Sequence, residues 1–168
     1  YDILLKLAVE SNACFVHCGL NNEKEKFEFN TDELKVILKK EDRILETNQY
    51  ISDPVCIEYF FRSISHLVLP YRKFMGSSGV MLQALGYGIP VLVPNLGIIG
   101  YRVKKHNLGM TFDNGYLSLF EQFKYFKHIP KEHFQKSIEE YMQYQSINQL
   151  KKVLTGVLSN NNYIIKLP

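Results

Sequence analysis

The densest run of groups able to do chemistry is Pro70-Tyr71-Arg72-Lys73-Phe74-Met75-Gly76-Ser77-Ser78-Gly79-Val80. Small residues ahead of an apolar helical pattern leave the first backbone N–H groups of a helix uncovered, and the aligned peptide dipoles add partial positive charge there. Ser77 and Ser78 contribute hydroxyls and Arg72 or Lys73 a cation, so the run has the parts of a phosphate cradle. The plainer alternative is a loop followed by an ordinary Ser-capped helix. Glycines at 76 and 79 with no following Gly-Lys-Ser/Thr exclude a Walker A loop, and the spacing is not Gly-x-Gly-x-x-Gly.

Other candidates carry less. Tyr50, with Gln49 beside it, follows a strand-like stretch, and its ring could stack on a base; a packed surface tyrosine is the simpler expectation. Cys14-x-x-His17-Cys18 has metal-binding residue types, but on a strand Cys14 and Cys18 face one side and His17 the other, so no metal site is expected. His17, just before Gly19, either faces a cleft or is a hydrogen-bonded structural histidine. His66 opens a strand away from the ligand side and is read as structural. Gly97 and Gly100 allow a backbone to approach a ligand closely or simply make turns.

The elements that must position these residues alternate. Leu4, Leu5, Leu7 and Ala8 form an apolar helical face, followed by the strand-length run Ala13 to Cys18. Asn30 or Thr31 caps a helix through Leu34, Ile37 and Leu38, Arg43 to Ile51 is strand-like, and Asp53-Pro54 starts a helix that runs to about Ser63. His66 to Leu69 is a buried strand stopped by Pro70, and Ser77-Ser78-Gly79 opens a helix that ends at Gly86 or Gly88. Pro90 to Pro94 is a strand whose continuous Val-Leu-Val suits burial on both faces. After a glycine-punctuated stretch, Gly109 to Phe112 is extended, and helices follow at Tyr116 to Phe126, Lys131 to Tyr144 and Ile147 to Leu158, the last capped by Ser146 with Gln149. This alternation predicts an α/β, Rossmann-like open parallel sheet with helices on both faces, its ligand lying outside the carboxyl ends of the strands.

Composition narrows the function further. With 168 residues, 46% hydrophobic, the chain can bury one domain's core. Lys plus Arg exceed Asp plus Glu by 20 to 17, too little for a nucleic-acid footprint, so no nucleic acid is expected as a partner. No apolar run approaches the roughly 20 residues of a membrane span, and three cysteines in apolar contexts point to a reducing, cytoplasmic setting. Lys104-Lys105 with His106 reads as a solvated face, the sharper alternative being a peripheral contact with the inner face of an anionic membrane. Tyr1 already lies inside an amphipathic pattern with no cap before it, and the chain is expected to be a fragment of something longer.

The run from His66-Leu-Val-Leu-Pro-Tyr-Arg through Gly76-Ser-Ser-Gly-Val-Met-Leu-Gln-Ala-Leu-Gly-Tyr-Gly-Ile-Pro-Val-Leu-Val-Pro to Asn95-Leu-Gly resembles the C-terminal domain of the group 1 family of retaining GT-B glycosyltransferases. In that family a strand ending in Pro leads to a nucleotide-sugar loop and then a helix ending Ala-x-x-x-Gly-x-Pro-Val. The resemblance implies the C-terminal half of a GT-B fold lacking its first strand, with residues 1–168 forming a single nucleotide-sugar-binding domain. It implies that Gly76, Ser77, Ser78, Gly79 and Val80 hold the donor diphosphate, that Arg72 adds positive charge, and that Gln83, Gln49 and Tyr50 lie near the ribose and base. The family's two Glu, eight positions apart, fall here on Met75 and Gln83; Gln83 can hydrogen-bond a diol, whereas Met75 cannot replace a carboxylate. Met75, His17 and Gly97 are the weaker sugar-side candidates, and no catalytic residue is assigned.

The implied donor is a nucleoside-diphosphate sugar such as a UDP- or GDP-hexose, with no other cofactor and no metal. The acceptor is a saccharide or lipid-linked sugar presented by an N-terminal domain of the same parent chain. The family's Arg and Lys-Gly segment, which neutralises the diphosphate, would precede Tyr1, so the fragment alone is expected to be inactive. The rivals are a degenerate, non-catalytic nucleotide- or protein-binding module and a Rossmann domain for another nucleotide. The second is disfavoured because no glycine fingerprint follows the Cys14 to Cys18 strand.

Overall fold

The computed structural model describes residues 1–18, 28–72, 76–113, 115–146, 151 and 155. The helix expected at Ile147 to Leu158 falls mostly outside the described residues, as do Met75, Lys73 and Gly19.

Local signals explain most of the elements. Helix α1 (Asp2–Ser11) is closed by Asn12 in the left-handed conformation and leads into strand β1 (Phe15–Cys18). Helix α2 (Thr31–Lys40) is capped by Asn30, whose side chain accepts from the N–H groups of Asp32 and Glu33. Acidic residues in its first turn and Lys39 and Lys40 in its last oppose the helix dipole. Strand β2 (Ile44–Thr47) is shorter than the expected Arg43 to Ile51. Helix α3 (Pro54–Ser63) starts on Asp53, which accepts from Val55 N–H, with Pro54 in the first turn.

Strand β3 (Leu67–Val68), helix α4 (Gly79–Gly86), strand β4 (Val91–Pro94) and strand β5 (Gly109–Phe112) follow the expected order. Helix α5 (Gly97–His106) corrects the reading of this stretch as glycine-punctuated turns. Ile99 and Val103, four apart, are both fully buried, and that packing outweighs the cost of two glycines in ten residues. Gly100 is neither a turn nor a ligand contact: a Cβ there would lie 2.7 Å from the Pro94 carbonyl oxygen, so the glycine lets α5 rest on the end of β4. Helices α6 (Tyr116–Phe126) and α7 (Glu132–Tyr144) complete the described chain.

All strand pairs are parallel, each joined through a helix, and the whole is a Rossmann-like α/β fold of short strands flanked by helices. The expected single sheet is, however, two: β1 with β2, and β3-β4-β5 in that order. The reason is visible in the backbone. Phe15 donates to Arg43, and Leu67 and Leu69 donate to Pro90 and Leu92, so alternation turns the backbone groups of Val16 and Val68 away from their own sheets. Between the two free edges lies a cavity of about 270 Å³, lined by Cys14 to Val16 from one side and His66 to Val68 from the other. The main core surrounds β4, whose residues are all buried, and a smaller one (Leu5, Ala8, Phe15, Leu38) lies under β1. Among the described residues no helix is long and apolar enough to cross a membrane.

Candidate functional site

Strands β3, β4 and β5 end at the same edge, and beyond it lies a cleft of about 400 Å³. Pro94 and Phe112, which end β4 and β5, and Pro70, two residues beyond β3, line it, with Ile3 of α1 and Tyr116 of α6 on one wall. This is where ligands of open parallel sheets bind. At its rim Arg72 donates to a Glu28 carboxylate oxygen at 2.9 Å. Glu28 is the only carboxylate among the described residues lining the cleft.

The Glu28 side of the rim is anchored from below. Asp2, only 5% exposed, accepts from the backbone N–H of Glu28 at 2.7 Å and of Phe29 at 3.2 Å. The Phe29 ring packs against Tyr116 with centroids 5.5 Å apart, and Lys6 Nζ lies 4.0 Å over Phe29. The Tyr116 hydroxyl donates to Glu10 at 2.7 Å, and burial, helped by that carboxylate, pushes the phenol's pKa well above its ordinary value.

On the other side the loop rises to α4. The Ser78 hydroxyl, in a residue 3% exposed, accepts from Met81 N–H at 3.0 Å and shares a 2.9 Å hydrogen bond with the Tyr71 hydroxyl. Ser78 thus caps the helix and ties the loop's two ends together. Gly76, Ser77, Gly79 and Val80 are exposed, and no heavy atom lies within 4 Å of a Cβ built on Gly79. The N–H groups of Gly79 and Val80 meet no acceptor among the described residues. Gln83, one turn beyond Gly79, is exposed on the same face of α4.

Of the expected ligand-contacting residues that are described, only Arg72 lines the cleft itself, beside Pro70 and Tyr71 of the same run. Gly76, Ser77, Gly79, Val80 and Gln83 form a separate exposed ledge, whereas Ser78, expected to hold phosphate, is buried with its hydroxyl bonded to Met81 N–H and to Tyr71, which joins the ledge to the cleft. Gln49 is exposed and Tyr50 is 79% exposed after β2, so Tyr50 is not the packed surface tyrosine expected. His17 packs edge-on to Tyr1 with centroids 5.1 Å apart; its Nδ1 meets no partner among the described residues, and burial lowers its pKa. Close by, the Tyr1 hydroxyl donates to Glu46, which Lys35 also meets at 3.1 Å. Gly97, in the left-handed region, lines a shallow groove with Asn95, Tyr101 and Lys104 rather than the cleft. No group of three or more His, Cys, Asp or Glu residues able to hold a metal occurs among the described residues.

Asp2, Glu28 and Tyr116 were not singled out in the sequence, because the contacts that give them roles join distant segments. Tyr71 did carry a signal, standing in the Pro-Tyr-Arg run. The arrangement combines an apolar and aromatic hollow, a cation on its rim and an uncovered helix N-terminus nearby. Together these suit a ligand with a ring and an anionic group.

No family model matches this sequence, and no curated protein matches it. Among solved structures it is similar to the crystal structure of AviGT4, a glycosyltransferase involved in avilamycin A biosynthesis, with 11% sequence identity and a TM-score of 0.58. The match covers 92% of this chain and 48% of that one, so the chain spans about half the length of its neighbour. At that identity the likeness establishes a shared fold.

Proposed function

We propose that this chain is the donor-binding half of a retaining glycosyltransferase that moves a hexosyl group from a nucleoside-diphosphate sugar to a saccharide or lipid-linked acceptor in polysaccharide synthesis. The observation that carries the reading is the pair of exposed Gly79 and Val80 N–H groups, without an acceptor among the described residues, on a Ser78-capped helix that the Tyr71 hydroxyl ties to the Arg72 side of the cleft. As a glycosidic bond breaks, negative charge grows on the departing diphosphate, and preorganised N–H groups and a cation stabilise it. Gly79 and Val80 would donate to the phosphates, Arg72 would neutralise them, and Gln83 on the same helical face would reach the ribose. The remaining cations and the acceptor would come from the parent chain outside these residues.

Calorimetric titration of the parent with UDP, GDP and their hexose conjugates tests this. Binding with turnover is expected, and R72Q should weaken affinity about tenfold, the scale of one lost charge-assisted hydrogen bond. Absence of binding at millimolar concentration would sink the reading. A non-catalytic binding module is the second reading, favoured by an amide rather than a carboxylate at Gln83; binding without turnover would select it.

A further inference from the structure

We infer that Glu28 is a built-in stand-in for the anionic ligand, a clasp that holds Arg72 across the cleft mouth until a phosphate group replaces it; this rests on the diphosphate reading of the same site. The two side chains meet at 2.9 Å from segments 44 residues apart in sequence. Both are more than half exposed, at 58% and 54%, so the pair can open without unburying a charge. What separates it from a chance surface pair is its footing. The Glu28 backbone is anchored, because its N–H is held by the buried Asp2 carboxylate and the next residue's ring is packed against Tyr116. Arg72 is held from its own side, since its neighbour Tyr71 is hydrogen-bonded to the cap of α4.

Glu28 meets the guanidinium through one carboxylate oxygen, the kind of charge-assisted contact that a phosphate oxygen also makes. It costs an incoming anion the energy of the pair it displaces. A diphosphate can offset that cost by also reaching the N–H groups of Gly79 and Val80, whereas a smaller anion that meets Arg72 alone cannot. Glu28 is therefore a selectivity residue for the site as well as its lid.

The test is a double-mutant cycle by calorimetry on the full-length protein, with pyrophosphate and UDP as probes in wild type, E28Q, R72Q and the double variant. E28Q keeps the side chain's size and leaves the backbone bond to Asp2 in place. Exposed ion pairs of this kind predict a gain in affinity on the order of two- to fivefold for E28Q. That gain should vanish when Arg72 is already Gln. Equal or weaker binding by E28Q overturns the clasp while leaving the site intact. A gain that survives in the R72Q background also overturns it, because Glu28 would then act only as a distant negative charge. If neither probe binds wild type or E28Q at millimolar concentration, the diphosphate reading itself fails and takes the clasp with it.

Discussion

His66 and His17 sit in folded surroundings that disfavour their charged forms. His66 Nε2–H donates to the Ile129 carbonyl at 3.0 Å, and the ring stands edge-on to Phe126. Burial lowers its pKa despite backbone carbonyls that favour the proton, and burial likewise lowers that of His17. A folded pKa below the unfolded one means that the unfolded chain binds more protons as pH falls. The stabilisation is complete above the ordinary imidazole value of about 6.5 and is lost as pH drops through the folded values. Burial pushes Glu46 up, but the Tyr1 hydroxyl and Lys35 hold it below the usual carboxylate range, so its own loss comes later in acid. The urea midpoint should therefore fall between pH 7 and roughly 5, ahead of the carboxylate region. H66Q, which keeps a donor for Ile129, and H17Q should each flatten part of that slope. Superimposable pH profiles for wild type and both variants would refute the assignment.

Elements here are held by backbone proximity as much as by side chains, and Gly109 shows how. Its φ is +148°, and a Cβ would sit 1.9 Å from the Val91 carbonyl oxygen, inside the β4–β5 ladder. G109A should cost about 3 kcal/mol of unfolding free energy through strand separation and strain. G79A, where space is open and φ is not positive, should stay within about 0.5 kcal/mol of wild type. Equal denaturant midpoints for the two variants would contradict this account. The contrast also marks what the sequence could convey. Asn30, Asp53 and Ser78 announce their helices because a cap acts over two or three residues, and Val91 to Val93 announces a buried strand by composition alone. The α5 helix was illegible because Gly97 and Gly100 look like breakers until the end of β4 is placed against Gly100. The cleft rim was illegible for the same reason at longer range: Asp2, Glu28 and Arg72 are linked across separations of 26 and 44 residues, and no local pattern encodes such contacts.

At the scale of the molecule, the break between the two sheets is the feature that bears most directly on the proposed reading. Helix α1 enters from Tyr1, whose ring touches Phe15 and His17 on β1, and α1 then returns along the smaller core. On the proposed reading, that is the course of a crossover helix in a parallel βαβ unit, with β1 as its second strand. The cavity beside β1 has apolar walls and, facing each other across it, the backbone edges at Val16 and Val68, which pair with no other strand among the described residues. On the proposed reading, a strand preceding Tyr1 in the parent chain lies there and joins both sheets into one. Hydrogen exchange measured residue by residue tests this. In residues 1–168 alone, the Val16 and Val68 amides should exchange much faster than those of Phe15 and Leu67, whose N–H groups are bonded within their sheets. In the parent all four should be protected alike, and the thermal midpoint should rise, because burying the walls of the inter-sheet cavity removes apolar surface from water. Val16 and Val68 amides that remain as fast in the parent as in residues 1–168 would show that no strand enters the inter-sheet cavity. The domain would then be a two-sheet unit in its own right, and the half-of-an-enzyme reading would lose its structural footing.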